Sequence, residues 1–375
     1  MTEAMSIFLD YNSTTPLDER VLARMMPFFG TVFGNPSSAH TFGAEAARAI
    51  AGAREGVAAL VNSEADQVTF CGSATEAINT VVSSVETGTI VSSAVEHAAT
   101  LQSLERAGSR GVNIVTLGVD ESGSLQLDVL EEALKDGAAL LTLLWVNNET
   151  GVIFPIEAIA QLCREHDVLF HVDAVQAAGK IEIDFARLPI DYLSISAHKI
   201  FGPKGVAALI TRDPSTISPL VVGGGQERGH RAGTENVPAI VGFGFAAELA
   251  VQEREARMRT SGQLRDQFER MILQRCPSAW VNGRSAARVA NTANVGFPGV
   301  DGDTLVGVLD GMGVAASTGS ACHANTMEPS HVIHAMTGSL EKAKESVRFS
   351  LSHRNTEEEI VKAVEVVVSA VEGLR

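Results

Sequence analysis

Basic runs are absent from this chain, and 29 Lys and Arg against 45 Asp and Glu leave a formal net charge of −16. A surface that tracks nucleic-acid phosphates needs clustered cations, so direct nucleic-acid binding is excluded. Long apolar runs are also missing, and none approaches the length of a membrane span. The first residues, Met1-Thr-Glu-Ala-Met-Ser6, lack the basic and apolar regions of a signal peptide, so a cytoplasmic location is expected, with earlier removal of an organellar peptide left open. Cysteine is sparse. Cys71, Cys163, Cys276 and Cys322 are widely spaced, with no Cys-x-x-Cys pair, which argues against a disulfide framework or a metal site. Cys163 falls in a helical pattern and Cys276 at a helix end, where each reads as a small packing residue. Cys322 sits in a Ser/Gly/Ala/Asn loop with few packing partners, which suits a reactive thiol. Aromatics contribute only 5%, whereas glycine occurs 34 times, a balance that fits a βα architecture with many tight turns.

What remains is ample for a core. With 375 residues and 45% hydrophobic content, the chain can form two domains or one large α/β unit. Apolar strand-like runs at 68–70, 89–92, 113–119, 139–146, 168–173, 191–196 and 206–211 alternate with helical patterns. One of these, 44–61, places Ile50, Val57 and Leu60 on one stripe. Such alternation predicts crossover connections and a mainly parallel sheet buried on both faces, with ligands at the carboxyl ends of its strands. Ala74 and Thr75 open the helix after the first of these strands, where a phosphate would meet unpaired N–H groups and a favourable dipole. A long helix from about Pro238 to Cys276, dense in Glu/Arg pairs, is expected to bridge two domains. The remainder reads as a smaller α/β unit with strands near 291–297, 314–317 and 346–351. Its last helix starts at the capping box Thr356-Glu-Glu-Glu359. No repeat, low-complexity tract or disordered linker interrupts the chain.

The most informative block is Leu193-Ser-Ile-Ser-Ala-His-Lys-Ile-Phe-Gly-Pro-Lys-Gly205, preceded by His171-Val-Asp-Ala-Val-Gln176. An apolar strand ending in Ser-x-His-Lys, with an acid at the end of the strand before it, is what an imine-forming lysine requires. Lys199, partly desolvated beside an aldehyde, is the nucleophile this pattern singles out. Pyridoxal phosphate withdraws electrons strongly only while its ring nitrogen keeps a proton. A buried carboxylate favours that state, and Asp173 would supply it. Gln176 can donate to the phenolic oxygen of the same ring, while Ser196 and His198 flank the lysine as phosphate donors. A lone lysine is usually a solvated surface group. Here several matching groups fall in one ordered block.

Further runs extend the pattern: Phe8-Leu-Asp-Tyr-Asn-Ser-Thr-Thr-Pro16, Phe33-Gly-Asn-Pro-Ser-Ser38, Ala74-Thr-Glu76, Glu96-His97, Val146-Asn-Asn-Glu-Thr-Gly151, Gly223-Gly-Gly-Gln-Glu-Arg-Gly229, Arg231-Ala-Gly-Thr234, Ser320-Ala-Cys322, Glu328-Pro-Ser330 and Val347-Arg-Phe-Ser-Leu351. In these runs the chain resembles the cysteine desulfurases of the class-V aminotransferase family, in their nitrogenase- and iron–sulfur-cluster-associated branch. The resemblance implies a fold-type-I α/β transferase dependent on pyridoxal 5'-phosphate, with a seven-stranded, mainly parallel sheet. It also implies a large domain of residues 13–255 and a small domain of 1–12 with 256–375. By the same resemblance, His97 stacks on the cofactor ring and assists proton transfer. Asn148 lies near the ring oxygen and the substrate carboxylate, and Arg348 clamps that carboxylate. Thr234 reaches the phosphate of a partner subunit, so a homodimer is expected. Cys322 would take sulfur from L-cysteine as a persulfide, leave L-alanine, and pass the sulfur to an acceptor protein. No metal is implied.

Two departures bear on the reading. Gly72-Ser-Ala-Thr-Glu76 replaces the usual Ser-Gly-Ala-Thr-Glu, which preserves small residues for the phosphate turn. Cys322 is followed by His323-Ala-Asn325, where close relatives carry Thr or Ser. His323 and Gly225-Gln-Glu-Arg228 resemble selenocysteine lyase, the nearest rival. A catalytically idle scaffold for sulfur-transfer partners is the rival of another class. The intact lysine, aspartate, histidine and cysteine argue against it. The glycine-rich run 223–229 lacks both Gly-x-Gly-x-x-Gly and the Walker lysine, so a nucleotide loop is a poor reading. Iron–sulfur assembly, transfer-RNA thiolation, DNA phosphorothioation and cofactor biosynthesis all remain open as destinations of the sulfur.

Overall fold

The computed structural model describes residues 7–319 and 329–375. Seven strands form one sheet in the order Val68–Cys71, Ala207–Thr211, Tyr192–Ser196, Leu169–Asp173, Ala138–Leu144, Thr89–Ser93 and Asn113–Leu117. All seven sequence-predicted strands of the large unit are present. Residues 118–119 and 145–146 fall outside them. The inner strands are continuous apolar runs because helices cover both faces; Tyr192–Ser196 and Ala207–Thr211 are buried at every position. Pairing is parallel except around Ala207–Thr211, which runs antiparallel to both neighbours. Only ten residues, 197–206, separate it from Tyr192–Ser196. That is too short for a crossover helix, so the chain turns back beside the strand it has just left. Lys199 lies in this tight return.

The helix Thr41–Val61 buries Ile50, Val57 and Leu60, the predicted stripe, against the sheet-side core. It crosses the long helix Val237–Arg275 at a glycine contact: a Cβ at Gly244 would lie 2.4 Å from the Ala53 Cα. Side chains larger than hydrogen would therefore force the two helices apart. Val237–Arg275 joins two apolar cores. Its first half packs Ile240, Phe243 and Ala247 with the large sheet, and Leu264, Phe268 and Ile272 enter a second core.

The second core forms around the antiparallel strands Trp280–Val281, Thr292–Gly296 and Ser346–Ser350. Trp280–Val281 is too short to show any periodicity in sequence and was not expected. The strand Ile7–Phe8 pairs in parallel with Val314–Ala315, which ties the chain's beginning to this core. The predicted strand 314–317 is shorter here, although Ser317 makes an isolated bridge to Arg348. The final helix Glu357–Leu374 starts as its capping box requires: Glu359 N donates to Thr356 Oγ1 and Thr356 N donates to Glu359 Oε2, each at 3.1 Å. Among the described residues, no helix is long and apolar enough to cross a membrane.

Candidate active site

A cleft of about 520 Å³ opens at the carboxyl ends of the parallel strands. Its walls include Ala74, Thr75, His97, Asn148, Asp173, Gln176, Ser196, His198, Lys199 and Arg348, every described site residue expected from sequence except Thr234. The reason is topological: strand ends converge on one edge of a parallel sheet, however distant they are in sequence.

Lys199 ends the single turn that follows Tyr192–Ser196. Its Nζ donates to the backbone carbonyls of Asn12 at 2.5 Å and Ser13 at 2.7 Å. These acceptors come from the run 8–16, whose motif was recognisable but whose contact with the lysine was not. Asp173 ends Leu169–Asp173 and is buried; Val175 N donates to its Oδ1 at 2.9 Å. Burial pushes its carboxyl above the usual range, opposed by His97, the Val175 N–H and Lys199. A cationic ring nitrogen in the cleft would remove that penalty. Two residues earlier on the same face, His171 is wholly buried between Thr142 and Ser194, 2.8 Å from each hydroxyl. Desolvation pushes it down to about 3, so it is a neutral polar filler.

His97 caps the helix Ala98–Ser109, and Ala99 N donates to its Nδ1 at 3.1 Å. The neutral ring therefore carries its proton on Nε2. The preceding Glu96 is fully buried, accepts from Ser93 Oγ at 2.5 Å and from Leu144 N at 2.8 Å, and is pushed well above the usual carboxyl range by burial. Its role is to fix the segment carrying His97. His198 shares a hydrogen bond of 3.1 Å between Nδ1 and Thr14 Oγ1. Burial, then Lys199 and Lys204, push it down to about 4.

The helix Ala74–Ser84 points its first turn at the cleft, capped by Ser73, whose side chain accepts from Glu76 N at 3.1 Å. Gly72 and Ser73, the small residues that the sequence placed in the phosphate turn, line the wall with Ala74 and Thr75. Arg231 binds Glu76 of this helix at 2.8 Å. Thr234, three residues further, is exposed and does not line this chain's cleft. The loop that leads into Arg231 is pinned by Glu227, which takes two hydrogen bonds of 2.7 Å from Arg54 and one of 2.8 Å from Phe70 N. Glu227 and Arg228 adopt left-handed backbone, φ +46° and +58°, a cost these contacts hold in place.

Arg348 lies on Ser346–Ser350, buried, with NH2 donating to Asp10 Oδ1 at 2.6 Å and NH1 to the Asn148 carbonyl at 3.1 Å. Its Nε is buried without a partner. Asp10 was missed; an acid in an N-terminal motif gives no sign of an arginine 338 positions away. Cys322 lies outside the described residues. The segment's flanks meet Glu149: Ser330 Oγ donates to Glu149 Oε2 at 2.5 Å, and a Cβ at Gly319 would lie 2.6 Å from the same oxygen. Gly319 also has φ +89°, so glycine is required there twice over.

The cleft suits pyridoxal phosphate. A buried acid lacks a full counter-charge, a buried arginine keeps an unpaired donor, a lysine ends a strand, and a helix N-terminus faces the same space. Fold and cleft are those of a fold-type-I transferase. The family description "Aminotransferase class-V" matches residues 7–363. A cysteine desulfurase of Nostoc sp. is 42% identical over 98% of this chain and 94% of that protein. Among solved structures, a NifS-like protein superposes with TM-score 0.92 at 34% identity, covering 98% of this chain and all of its own. A structure titled SspA in complex with cysteine gives TM-score 0.82 at 34% identity, covering 92% and 99%. The chain belongs to the class-V aminotransferase family, among its cysteine desulfurases.

Proposed function

We propose that this chain uses pyridoxal 5'-phosphate to convert L-cysteine to L-alanine, with Cys322 taking the sulfur as a persulfide. The observation that carries the reading is Arg348: a buried guanidinium with an unpartnered Nε, in the wall that also holds Lys199 and Asp173. An amino-acid carboxylate is the ligand that this cleft-lining cation would attract, and Asp10 and the Asn148 carbonyl hold its guanidinium in place.

Bound pyridoxal phosphate supplies an electron sink beside the substrate α-carbon. Asp173 keeps the ring nitrogen protonated. The first turn of Ala74–Ser84, with Thr75, Ser196 and His198, holds the phosphate, and Gln176 and Asn148 address the phenolic oxygen. Lys199 would hold the cofactor at rest, and its amine would move the α-proton of the bound substrate. His97, with its proton on Nε2, serves the later proton transfers. The Cys322 thiolate would bond to the substrate sulfur as the carbon–sulfur bond breaks, leaving that bond's electron pair with the carbon, and the three-carbon remainder would leave as alanine after Cβ and Cα have each gained a proton. The persulfide sulfur then passes to an acceptor protein in the cytoplasm. Residues 13–255 form the cofactor-binding unit, and residues 1–12 with 256–375 the unit that carries Cys322; the two apolar cores support this division in the main, although Val289, Val332, Ile333, Met336 and Ala343 pack with the first core.

The direct test supplies L-cysteine to the reconstituted protein and follows alanine and protein-bound sulfane sulfur. Alanine and persulfide in equal amounts in the first turnover are expected. Absence of both with bound cofactor would sink the reading.

A homodimer belongs to the same proposal. Thr234 is exposed yet close in sequence to the Arg231–Glu76 tie beside the phosphate helix. Phe33 and Phe42 leave a pair of rings 5.6 Å apart at 70% and 53% exposure, an apolar surface suited to a subunit interface. Coexpressed Thr234→Ala and Lys199→Ala chains should form hybrid dimers with one intact site, and so exceed both parents in activity. Hybrids that form but do no better would count against a shared site.

A further inference from the structure

We propose that Lys180 is a positioning residue for the cleft: it fixes the side-chain amide of Gln176 with its oxygen turned toward Lys180 and its NH2 group left to meet the ligand. The inference rests on the cofactor reading above and adds a residue to it. Lys180 lies at the end of the turn 175–180 that follows Leu169–Asp173, seven positions after Asp173, and does not line the cleft. Its Nζ donates to Gln176 Oε1 at 2.5 Å and to Asn12 Oδ1 at 3.1 Å. Gln176 Nε2 donates in turn to the Asn12 carbonyl at 2.9 Å, the same oxygen that accepts from Lys199 at 2.5 Å.

The chemistry of the donors sets the orientation. In its charged form Lys180 has three N–H donors and no acceptor, and its 2.5 Å contact with Gln176 is made to the amide oxygen. With that end occupied, the NH2 end serves the cleft wall. The reverse orientation would set N–H against N–H and leave a buried amide oxygen without a donor.

A surface lysine normally carries its charge out to water. Lys180 instead meets two neutral amide oxygens, and no acid is paired with it among the described residues. It borders, with Lys199, a small cavity of about 30 Å³ behind the cleft. Desolvation, then Lys199 and Arg348, push its amine down to about 7. An unpaired lysine kept among like charges is costly to hold. The geometry gives that cost a use: orienting the Gln176 amide, which lines the cleft.

The test compares wild type, Lys180→Met, Lys180→Gln, Lys180→Arg, Gln176→Leu and the double variant Lys180→Met/Gln176→Leu. Each is stripped of cofactor and titrated with pyridoxal phosphate by equilibrium dialysis, and the visible absorption band of the loaded protein is recorded. Lys180→Met and Gln176→Leu should each weaken cofactor binding about tenfold and shift the band alike. The double variant should be no weaker than Gln176→Leu alone, because the lysine acts through the glutamine. Lys180→Arg, another pure donor, should restore most of the affinity and the band. Should Lys180→Met fail to fold, Lys180→Gln takes its place, since its amide can present either end and no longer fixes Gln176. Wild-type affinity and spectrum in the variant read, or losses that multiply in the double variant, overturn the proposal. Wild-type protein that binds no pyridoxal phosphate overturns the cofactor reading itself.

Discussion

Lys199→Ala should lower turnover by at least about 10³-fold, and borohydride should no longer fix cofactor to the protein. The expectation is strong because no other amine can take over. Lys204 borders the same cleft, but it is solvent-exposed and five residues further along the return from the strand. Lys180 does not line the cleft and turns its amine toward Gln176 and Asn12. Lys199 alone stands at the strand end, aimed by two carbonyls of the 8–16 run. Non-covalent cofactor binding should survive in part, since the helix Ala74–Ser84, Asp173 and Gln176 are untouched. Retention of borohydride-fixable cofactor in Lys199→Ala would show that another residue carries it. The measurement pairs a turnover assay with mass analysis of the reduced protein, and a thermal melt confirms that the variant is folded.

The second large effect concerns Cys322→Ser. This variant should bind pyridoxal phosphate and L-cysteine as the parent does, because neither step uses the thiol, while alanine formation from cysteine falls by about 10³-fold or more. Thiolate is a poor leaving group and benefits from a nucleophile that takes the sulfur away. Selenolate leaves more readily, so selenocysteine should suffer much less, and the ratio of residual activities measures how far the enzyme relies on Cys322. That ratio also separates the two enzyme readings. A selenocysteine lyase should keep most of its selenocysteine activity and have little cysteine activity to lose. Alanine produced from cysteine at the parental rate by the variant would remove Cys322 from the sulfur-transfer step. Among the described residues on either side of 320–328, Ser330 is hydrogen-bonded to Glu149, and Gly319 both packs against Glu149 and lines the cleft.

The scaffold reading and that of a fold-sharing aminotransferase, which needs no catalytic thiol, fare differently against the structure. A scaffold without catalysis has no need of a buried acid, a strand-end lysine and an unpartnered arginine donor in one cleft, and retaining three such costly groups without use is a poor physical bargain. An aminotransferase of the same fold would need all three as well. Only the fate of the substrate sulfur separates it from a desulfurase, which is why the Cys322 experiment bears so directly on function.

The residues that are close together because the chain puts them close together were legible in the sequence. Strand–helix alternation predicted the parallel sheet, since a buried strand must be apolar on both faces and a covering helix on one. The positions of Asp173, Ser196 and Lys199 at strand ends then followed from counting along the chain, as did the opening of a helix at Ala74 and the capping box at Thr356. What only the tertiary structure decided are the contacts that close across hundreds of residues. The carbonyls of Asn12 and Ser13 hold Lys199, Asp10 holds Arg348, and Lys180 and Asn12 settle Gln176. A hydrogen bond leaves no periodic trace in sequence: a carbonyl belongs to every residue, and an acid or a lysine reads the same whether it faces water or a buried partner. Hydrophobic patterning fixes which face is buried. The partner that meets a polar group there is chosen by the packing of the second core against the first.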